Sequence, residues 1–399
     1  MAFTKKYKIE EILVFAFLAA FPFGRLLAFE FSLFGFRVSF VFLDFIAFLG
    51  SLLFIYLNRN RLKFLDSNFL TFVFPFLFSF LFSIFIFRDI RILFGTFYLV
   101  RIFSYLGFYF FIKDFLKSSK DNKKLLENSL FLILLFSLLF GFFQYFFYPD
   151  LTSLKFLGWD DHLYRMTGSF LDPGFTGIIF VFGFIFSWAK FRSNKSKKFL
   201  FFSLLFLIGI SLTFSRASYL SLVVSFFYFS YLKKEKWLYG VLFVVILLLL
   251  LLFIPKPAGE GVNLARLYSV FDRIENYRET YLIFSQSPIF GVGFNNLCLA
   301  KNIYFGNDNF QSHSCGGSDS SLLFVVSTLG VVGFMILIHL GLEIWRKIKK
   351  DGFGMVLRSF IIALFLHSQF NNSLFYPWIL AILVIAFVLE FNSTSKIEP

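Results

Sequence analysis

The sequence predicts an all-α integral membrane protein with about twelve transmembrane helices. Of its 399 residues, 58% are hydrophobic and 16% are charged, and the mean hydropathy is +0.77. A soluble domain carries roughly a quarter charged residues, so hydropathy this high along the whole chain indicates that lipid is its solvent. Apolar runs of about 20 residues, the length that crosses a bilayer, recur from one end of the chain to the other.

The predicted helices form a single polytopic domain over residues 1–399. The N-terminal apolar run is expected to be the first membrane helix rather than a cleaved signal, because no small-residue cleavage site follows it. The twelve helices are placed at residues 11–28, 38–57, 69–87, 92–112, 127–147, 173–190, 199–214, 217–232, 237–254, 320–342, 356–370 and 376–392.

Basic residues divide the connecting segments into two alternating sets. Most of the 38 lysines and arginines lie in one set, which consists of short loops. The positive-inside rule therefore places this set and both termini in the cytoplasm. The same rule accounts for the net charge of +14, which in a soluble protein would suggest a nucleic-acid partner. No nucleic acid is expected here.

The outer side then holds two long segments, residues 148–172 and residues 255–319, the latter between predicted helices 9 and 10. A loop of about 65 residues in a compact protein is usually functional or a separate module. Within it, apolar residues recur at three- and four-residue spacing over residues 263–288. This spacing predicts an amphipathic helix, ended by Pro288.

On that helix, Arg266 and Arg273 fall on one flank of the apolar stripe, and Asp272, Glu275 and Glu279 fall on the opposite side. Two interpretations stay open. The helix lies in the membrane interface and its arginines contact lipid headgroups, or Arg273 points into a cavity and holds an anionic group. Arginine suits the second task because its planar fork binds phosphate with two hydrogen bonds and keeps its charge.

Two further arginines lie at the outer ends of predicted helices. Arg216, in the turn between helices 7 and 8, is either a snorkelling anchor or a functional residue. The scarcity of basic residues on the outer side and the shortness of the turn favour function. Arg165 precedes the stretch GSFLDPG at the outer end of helix 6.

Two other polar residues lie just before predicted helix 10. Asp319 is either a helix N-cap or a general base, and His313 is either an ordinary loop histidine or the base. Inside the bilayer, Asp44 and Arg101 are expected to pair, because intramembrane charges are costly.

The chain has two cysteines, Cys298 and Cys315, both in the large outer loop. Two are too few for a zinc site, which needs about four ligands. An oxidising periplasm permits a disulfide, and we predict one that holds the loop over the site.

These segments resemble the O-antigen ligase/polymerase superfamily of membrane proteins, which have about twelve helices and a large outer loop late in the chain. The resemblance rests on three motifs. They are the helix-end motif Ser215-Arg216-Ala217, the series Arg273-x-x-x-Tyr277 followed by Pro288-x-x-Gly291-x-Gly293, and the turn Gly168-x-Phe170 with Pro173 and Gly177.

A fourth motif departs from the family. Members carry a polar pair, often His-Asn, about eleven residues before a glycine. Counted back from Gly330, this position holds Asp319 and Ser320, and His313 lies too early in the chain. The departure favours a polymerase over a ligase and leaves the base open between Asp319 and His313.

The resemblance implies a metal-independent, inverting glycosyltransferase without a cofactor, in the inner (cytoplasmic) membrane, with its active site facing the periplasm. Its donor is a glycan on undecaprenyl diphosphate, and its acceptor is a lipid-linked glycan for a polymerase or lipid A-core for a ligase. Arg216 and Arg273 are expected to clamp the diphosphate with help from Arg165. Asp319 or His313 takes the proton of the acceptor hydroxyl.

A flippase or other transporter of lipid-linked oligosaccharides is the alternative from a different class. It would share the helix count and an arginine-lined path. Transporters of this kind are expected to show paired repeats or helices broken at the midplane, and the sequence shows neither.

Overall fold

The computed structural model describes residues 2–33, 35–59, 67–119, 121–157, 162–257, 259–307, 310 and 315–392, and this part of the chain is mostly helical. The helices are α1 Ala2–Ala20, α2 Phe42–Leu57, α3 Ser67–Phe87, α4 Phe94–Ser118, α5 Asp121–Phe147, α6 Pro173–Asn194, α7 Lys197–Leu212, α8 Arg216–Leu232, α9 Trp237–Phe253, α10 Tyr268–Gln286, α11 Leu297–Phe305, α12 Ser321–Lys347, α13 Gly352–His367 and α14 Pro377–Phe391.

Each of the twelve predicted membrane helices corresponds to a helix of the structure, namely α1–α9 and α12–α14. Among the described residues, five helices (α3, α4, α5, α6 and α12) are long and apolar enough to cross a membrane. Four more apolar helices (α2, α9, α13 and α14) are shorter. The helical membrane fold is thus confirmed, and the number of crossings and the side of the termini stay predictions.

The segment between α1 and α2 differs from the prediction. α1 ends at Ala20 rather than at residue 28, and α2 begins at Phe42 rather than at residue 38. Between them lie a 3-10 turn, Phe21–Leu27, and an antiparallel hairpin of strands β1 Ala28–Leu33 and β2 Phe36–Val41. Hydropathy alone does not separate a short apolar strand from the end of an apolar helix, so the sequence missed the hairpin.

The buried charges Asp44 and Arg101 pair, as predicted. The Arg101 Nη2 atom lies 2.8 Å from Asp44 Oδ2, and both side chains are less than 10% exposed. The guanidinium also donates to the backbone carbonyl of Ser39 on β2. The pair therefore fastens the hairpin to α2 and α4.

α12 is broken at Gly330, whose φ of 68° lies in the left-handed region. Residues 288–293, the P-x-x-G-x-G segment, fill the break through four backbone hydrogen bonds of 2.9–3.2 Å to residues 327–332. A Cβ on Gly330 would lie 2.2 Å from the Ile289 carbonyl oxygen, so only glycine fits. The sequence-based expectation of no broken helix is therefore wrong, because the backbone partners of the break come from a distant segment.

α6 is the central helix, with buried side chains around its whole circumference. Its N-terminus is capped by Asp172, whose Oδ1 accepts a 2.8 Å hydrogen bond from the Phe175 N–H, and Pro173 occupies the first helical position. This cap fixes where α6 starts, and the start of α6 forms one wall of the cavity described next.

Candidate functional site

A polar cavity of about 830 Å³ lies between the hairpin, the N-termini of α6, α8 and α12, and one face of α10. Four of the predicted site residues line it: Arg165, Arg216, Arg273 and Asp319. The fifth, His313, lies outside the described residues. Within the described ranges, no group of three or more histidine, cysteine or carboxylate side chains is placed to hold a metal ion.

Arg216 is the first residue of α8, and Ser215 caps this helix through its hydroxyl. The Arg216 Nη2 atom donates to Ser269 Oγ at 2.8 Å, and Nη1 donates to the Arg266 carbonyl oxygen at 3.1 Å. The guanidinium is thus directed toward the start of α10 and the cavity.

Arg165 supports the turn that carries Arg216. Its Nε atom donates to the Thr213 carbonyl oxygen at 3.1 Å, and Nη2 donates to that of Phe214 at 3.4 Å. Phe214 has a φ of 49°, a left-handed conformation that is costly for an aromatic residue. Arg165 holds this strained turn in place as well as facing the cavity.

Arg266 lines the same cavity, although the sequence assigned it no role. Its Nη1 atom donates to the carbonyl oxygens of Gly261 at 2.6 Å and Asn263 at 2.9 Å. Burial lowers the pKa of Arg266, and the positive charges of Arg216 and Arg273 lower it further. The positive charges of the three guanidinium groups therefore repel one another.

Arg273 is half-buried and forms no hydrogen bond or ion pair with any described residue. Arg216 and Arg266 bond only to backbone carbonyls and a hydroxyl. We call Arg216, Arg266 and Arg273 the arginine cluster. Across the part of the chain that the structure covers, no carboxylate pairs with this cluster, so its positive charge is uncompensated.

α10 has structural features that correspond to each of the two interpretations of the amphipathic helix. Its apolar stripe is exposed, with Leu267, Phe271, Ile274 and Tyr281 between 55% and 64% accessible, as expected for a helix in a membrane interface. The opposite face carries Arg273 into the cavity.

The acidic residues Asp272, Glu275 and Glu279, on the opposite flank of α10 from Arg266 and Arg273, also line the cavity. The cavity is wide enough to take in half of the helix circumference. The carboxylates occupy one edge of this face, and Glu279 pairs with Lys301 at 3.4 Å.

Asp319 is not the N-cap of α12. Ser320 caps this helix, its Oγ accepting from the Leu323 N–H at 3.3 Å. The Asp319 N–H instead donates to Asn276 Oδ1 on α10 at 2.9 Å. Burial raises the pKa of Tyr277, Arg273 opposes this rise and Asp319 adds to it, so both charges act on the same stretch of α10.

The polar run His-Ser-Gln-Phe-Asn-Asn at 367–372 also reaches the site, although no role is predicted for it from the sequence. Asn371 and Asn372 line the cavity. His367 is buried, with its Nδ1 2.6 Å from Ser373 Oγ and its Nε2 3.4 Å from Ser218 Oγ. The signal was present in the sequence, because five polar residues in six between two apolar helices are unusual in a membrane chain.

The predicted disulfide between Cys298 and Cys315 is confirmed, with the two Cα atoms 4.8 Å apart. It packs in one apolar cluster with Phe36 and Phe94. Phe310, between the two cysteines, accepts a 3.3 Å hydrogen bond from the Arg37 N–H at its carbonyl oxygen. The disulfide thus fastens the loop to the hairpin at one end of the cavity, which we call the hairpin end.

Part of the chain is similar to a known protein family. Residues 200–338 match the model of a family described as O-antigen ligase. The match covers α7 to most of α12 and includes the arginine cluster and Asp319, whereas Arg165 lies before it. No curated protein matches the chain.

Proposed function

Because the chain belongs to the O-antigen ligase/polymerase superfamily, we propose that it transfers a glycan from undecaprenyl diphosphate to an acceptor sugar hydroxyl in this cavity. The arginine cluster carries the proposal. Three guanidinium groups share one wall of the cavity and lack a carboxylate partner among the described residues. Such a group of cations is costly when empty and suits an anion with two phosphates.

The role of the arginine cluster follows from the leaving group of the donor, which is a diphosphate. As the anomeric C–O bond breaks, its electron pair goes to the diphosphate, whose negative charge grows. Preorganised donors placed where charge develops lower the barrier by several kcal/mol. Arg273 has its whole fork available, and Arg216 is held in position by Ser269. Arg165 assists by fixing the turn before Arg216.

Asp319 is the proposed base. Its carboxylate accepts the proton of the acceptor hydroxyl, and the hydroxyl oxygen bonds to the anomeric carbon on the face opposite the leaving diphosphate, which inverts that centre. His313 is the alternative for this role. No metal or cofactor is required in this scheme, since the arginines balance the leaving charge.

Two related activities are considered, and they differ in the acceptor of the glycan. The Asp-Ser pair at 319–320 favours a polymerase, whose acceptor is a second lipid-linked glycan. The description of the matched family favours a ligase, whose acceptor is lipid A-core. Either reaction is proposed to take place at the periplasmic face of the inner membrane, where the exposed apolar stripe of α10 contacts lipid.

One structural feature, the broken helix α12, is also expected of a transporter. In a transporter, such a break leaves backbone groups for the substrate. Here residues 288–293 already occupy those groups. The break therefore supports the wall of a fixed site better than a transport path.

The test is the length distribution of surface lipopolysaccharide, resolved on a gel, from cells that lack this protein. Core bearing one repeat indicates a polymerase. Loss of all attached glycan, with polymer accumulating on its carrier lipid, indicates a ligase. An unchanged ladder contradicts both activities.

A further inference from the structure

Residues of α10 line the cavity at successive positions along its length. Arg273, Asn276 and Glu279 follow one another at three-residue spacing and all line the cavity. Arg273 belongs to the arginine cluster, Asn276 holds Asp319, and Glu279 pairs with Lys301 on α11. At 1.5 Å per residue, the six residues from Arg273 to Glu279 span about 9 Å. Asp319 therefore lies between the arginine cluster and the hairpin end.

The two ends differ in charge compensation. At the hairpin end the cations lie beside carboxylates: Arg25 and Arg37 share Glu30, Arg101 pairs with Asp44, and Lys301 pairs with Glu279. An ion pair cancels most of the attraction that either member exerts on a third charge. This end is therefore polar without being strongly anion-attracting, unlike the arginine cluster.

Asn295 places an unused donor at this end. It lines the cavity, is only 6% exposed, and its buried Nδ2 atom has no hydrogen-bond partner among the described residues. Its φ of 60° is left-handed, a conformation that asparagine tolerates at some cost. A buried amide without a partner is unfavourable and rare, so a ligand atom is the expected partner.

Aromatic rings also line the hairpin end of the cavity. Phe94, Tyr98 and Phe310 line the same cavity. The start of α4 packs against the segment that carries Asn295, since a Cβ on Gly95 would lie 2.7 Å from the Phe294 carbonyl oxygen. Aromatic faces offer an apolar surface with a negative π-face, which suits the C–H face of a sugar ring, while the amide suits its hydroxyl rim.

We propose that the hairpin end is the acceptor-sugar subsite and that Asn295 Nδ2 donates a hydrogen bond to a sugar oxygen. The proposal rests on the proposed function, because it takes the arginine cluster as the diphosphate site and Asp319 as the base. The acceptor hydroxyl then lies at Asp319, and its sugar ring extends away from the arginines, toward Asn295. The ligand class is a neutral sugar residue of the acceptor glycan.

The test uses two probes with the purified full-length protein. One is undecaprenyl diphosphate, which carries no sugar. The other is the repeat oligosaccharide released by mild acid from the lipid-linked glycan of cells lacking this protein, which carries no diphosphate. The binding of each is measured by calorimetry, alone and in the presence of the other.

The variant Asn295→Gly removes the amide without straining the left-handed backbone. We expect it to weaken oligosaccharide binding about three- to tenfold, as for one lost hydrogen bond, and to leave undecaprenyl diphosphate binding within about twofold. Asn295→Asp keeps the shape and the backbone preference while replacing the donor with an acceptor, so it is expected to show the same loss. Asn58→Gly, at the end of α2 outside the cavity, is the matched control.

The outcomes separate the two proposals. Oligosaccharide binding that is unchanged in both Asn295 variants, or absent in the wild type, overturns the subsite. Oligosaccharide and undecaprenyl diphosphate that exclude each other also overturn it, because the oligosaccharide would then occupy the arginine cluster rather than the hairpin end. Undecaprenyl diphosphate binding that is unchanged in Arg273→Gln contradicts the diphosphate site and leaves the assignment of sugar binding to Asn295 standing.

Discussion

The side-chain oxygen of Asn276 accepts a 2.9 Å hydrogen bond from the backbone N–H of Asp319. This bond joins α10 to the residue before the cap of α12, and Ser318 donates to the same oxygen at 3.3 Å. Two segments that lie some forty residues apart in the chain are thereby held at one point of the cavity. The position of the proposed base thus depends on a residue of the amphipathic helix.

Asn276 is accordingly predicted to be a positioning residue. Asn276→Ala removes the acceptor for the Asp319 N–H, and we expect about a tenfold lower kcat with little change in KM. Asn276→Asp keeps an acceptor oxygen and is expected to recover much of the rate. Its added carboxylate should also move the acid limb of the pH–rate profile upward, because a nearby negative charge raises the pKa of Asp319. An unmoved profile would argue that Asp319 is not the base.

The arginine cluster is predicted to act through hydrogen-bond geometry as well as charge. Arg273→Lys and Arg216→Lys keep a positive charge but lose the planar fork, so we expect each to lose most of the transfer rate, on the order of tenfold or more. The corresponding glutamine variants should lose about a hundredfold or more. The rate is measured with the lipid-linked donor. The control is Arg278→Lys, because Arg278 is exposed and lies 3.7 Å from its partner Glu275. Full activity in both Arg273→Lys and Arg216→Lys would show that these residues act only as point charges.

The empty cluster is predicted to lower stability. The pKa of Arg266 is lowered in the folded protein, so its positive charge destabilises the fold at every pH at which it is protonated. Arg273→Gln relieves part of this repulsion, and we expect its Tm in detergent to rise by about 1–3 °C while activity falls.

The same repulsion predicts stabilisation by a bound anion. Inorganic pyrophosphate should raise the Tm of the wild type, and the rise should be smaller in Arg273→Gln. Sodium chloride at equal ionic strength is the control for screening. Equal effects of the two salts would show that the cluster does not bind the diphosphate group.

The disulfide is predicted to hold the hairpin end in place. Replacing Cys298 and Cys315 together with serine removes the closure of a loop whose ends are 17 residues apart, and we expect a loss of about 3 kcal/mol in stability. Alkylation with and without reductant, read by mass spectrometry, checks the pairing in the wild type. Two free thiols in the non-reduced protein would contradict the structure.

Gly330 is predicted to be indispensable for the break in α12. Gly330→Ala adds a Cβ at 2.2 Å from the Ile289 carbonyl oxygen in a left-handed conformation, so we expect several kcal/mol of destabilisation or failure to accumulate in the membrane. Gly341→Ala is the matched control on the same helix, because its Cβ would meet no atom within 4 Å. Membrane levels of the two variants by immunoblot provide the measurement, and equal levels would contradict the break.

The membrane fold could be predicted from the sequence because it depends on local composition. A stretch of about 20 apolar residues forms a helix in lipid wherever it occurs, since its backbone has no other partner. The pairing of Asp44 with Arg101 follows from the same cost of burying polar groups. The hairpin at residues 28–41 was not predicted, because its apolar strands have the hydropathy of a helix end.

The sequence by itself therefore determined the membrane helices, the amphipathic α10 and the candidate arginines Arg216 and Arg273, all of which follow from spacing along the chain. Only the tertiary structure decided that Arg266 joins them, that Asn276 holds Asp319, and that Asn295 is left without a partner. The physical reason is that charge compensation and hydrogen-bond satisfaction depend on distances between atoms from different segments. Those distances exist only after the helices have packed.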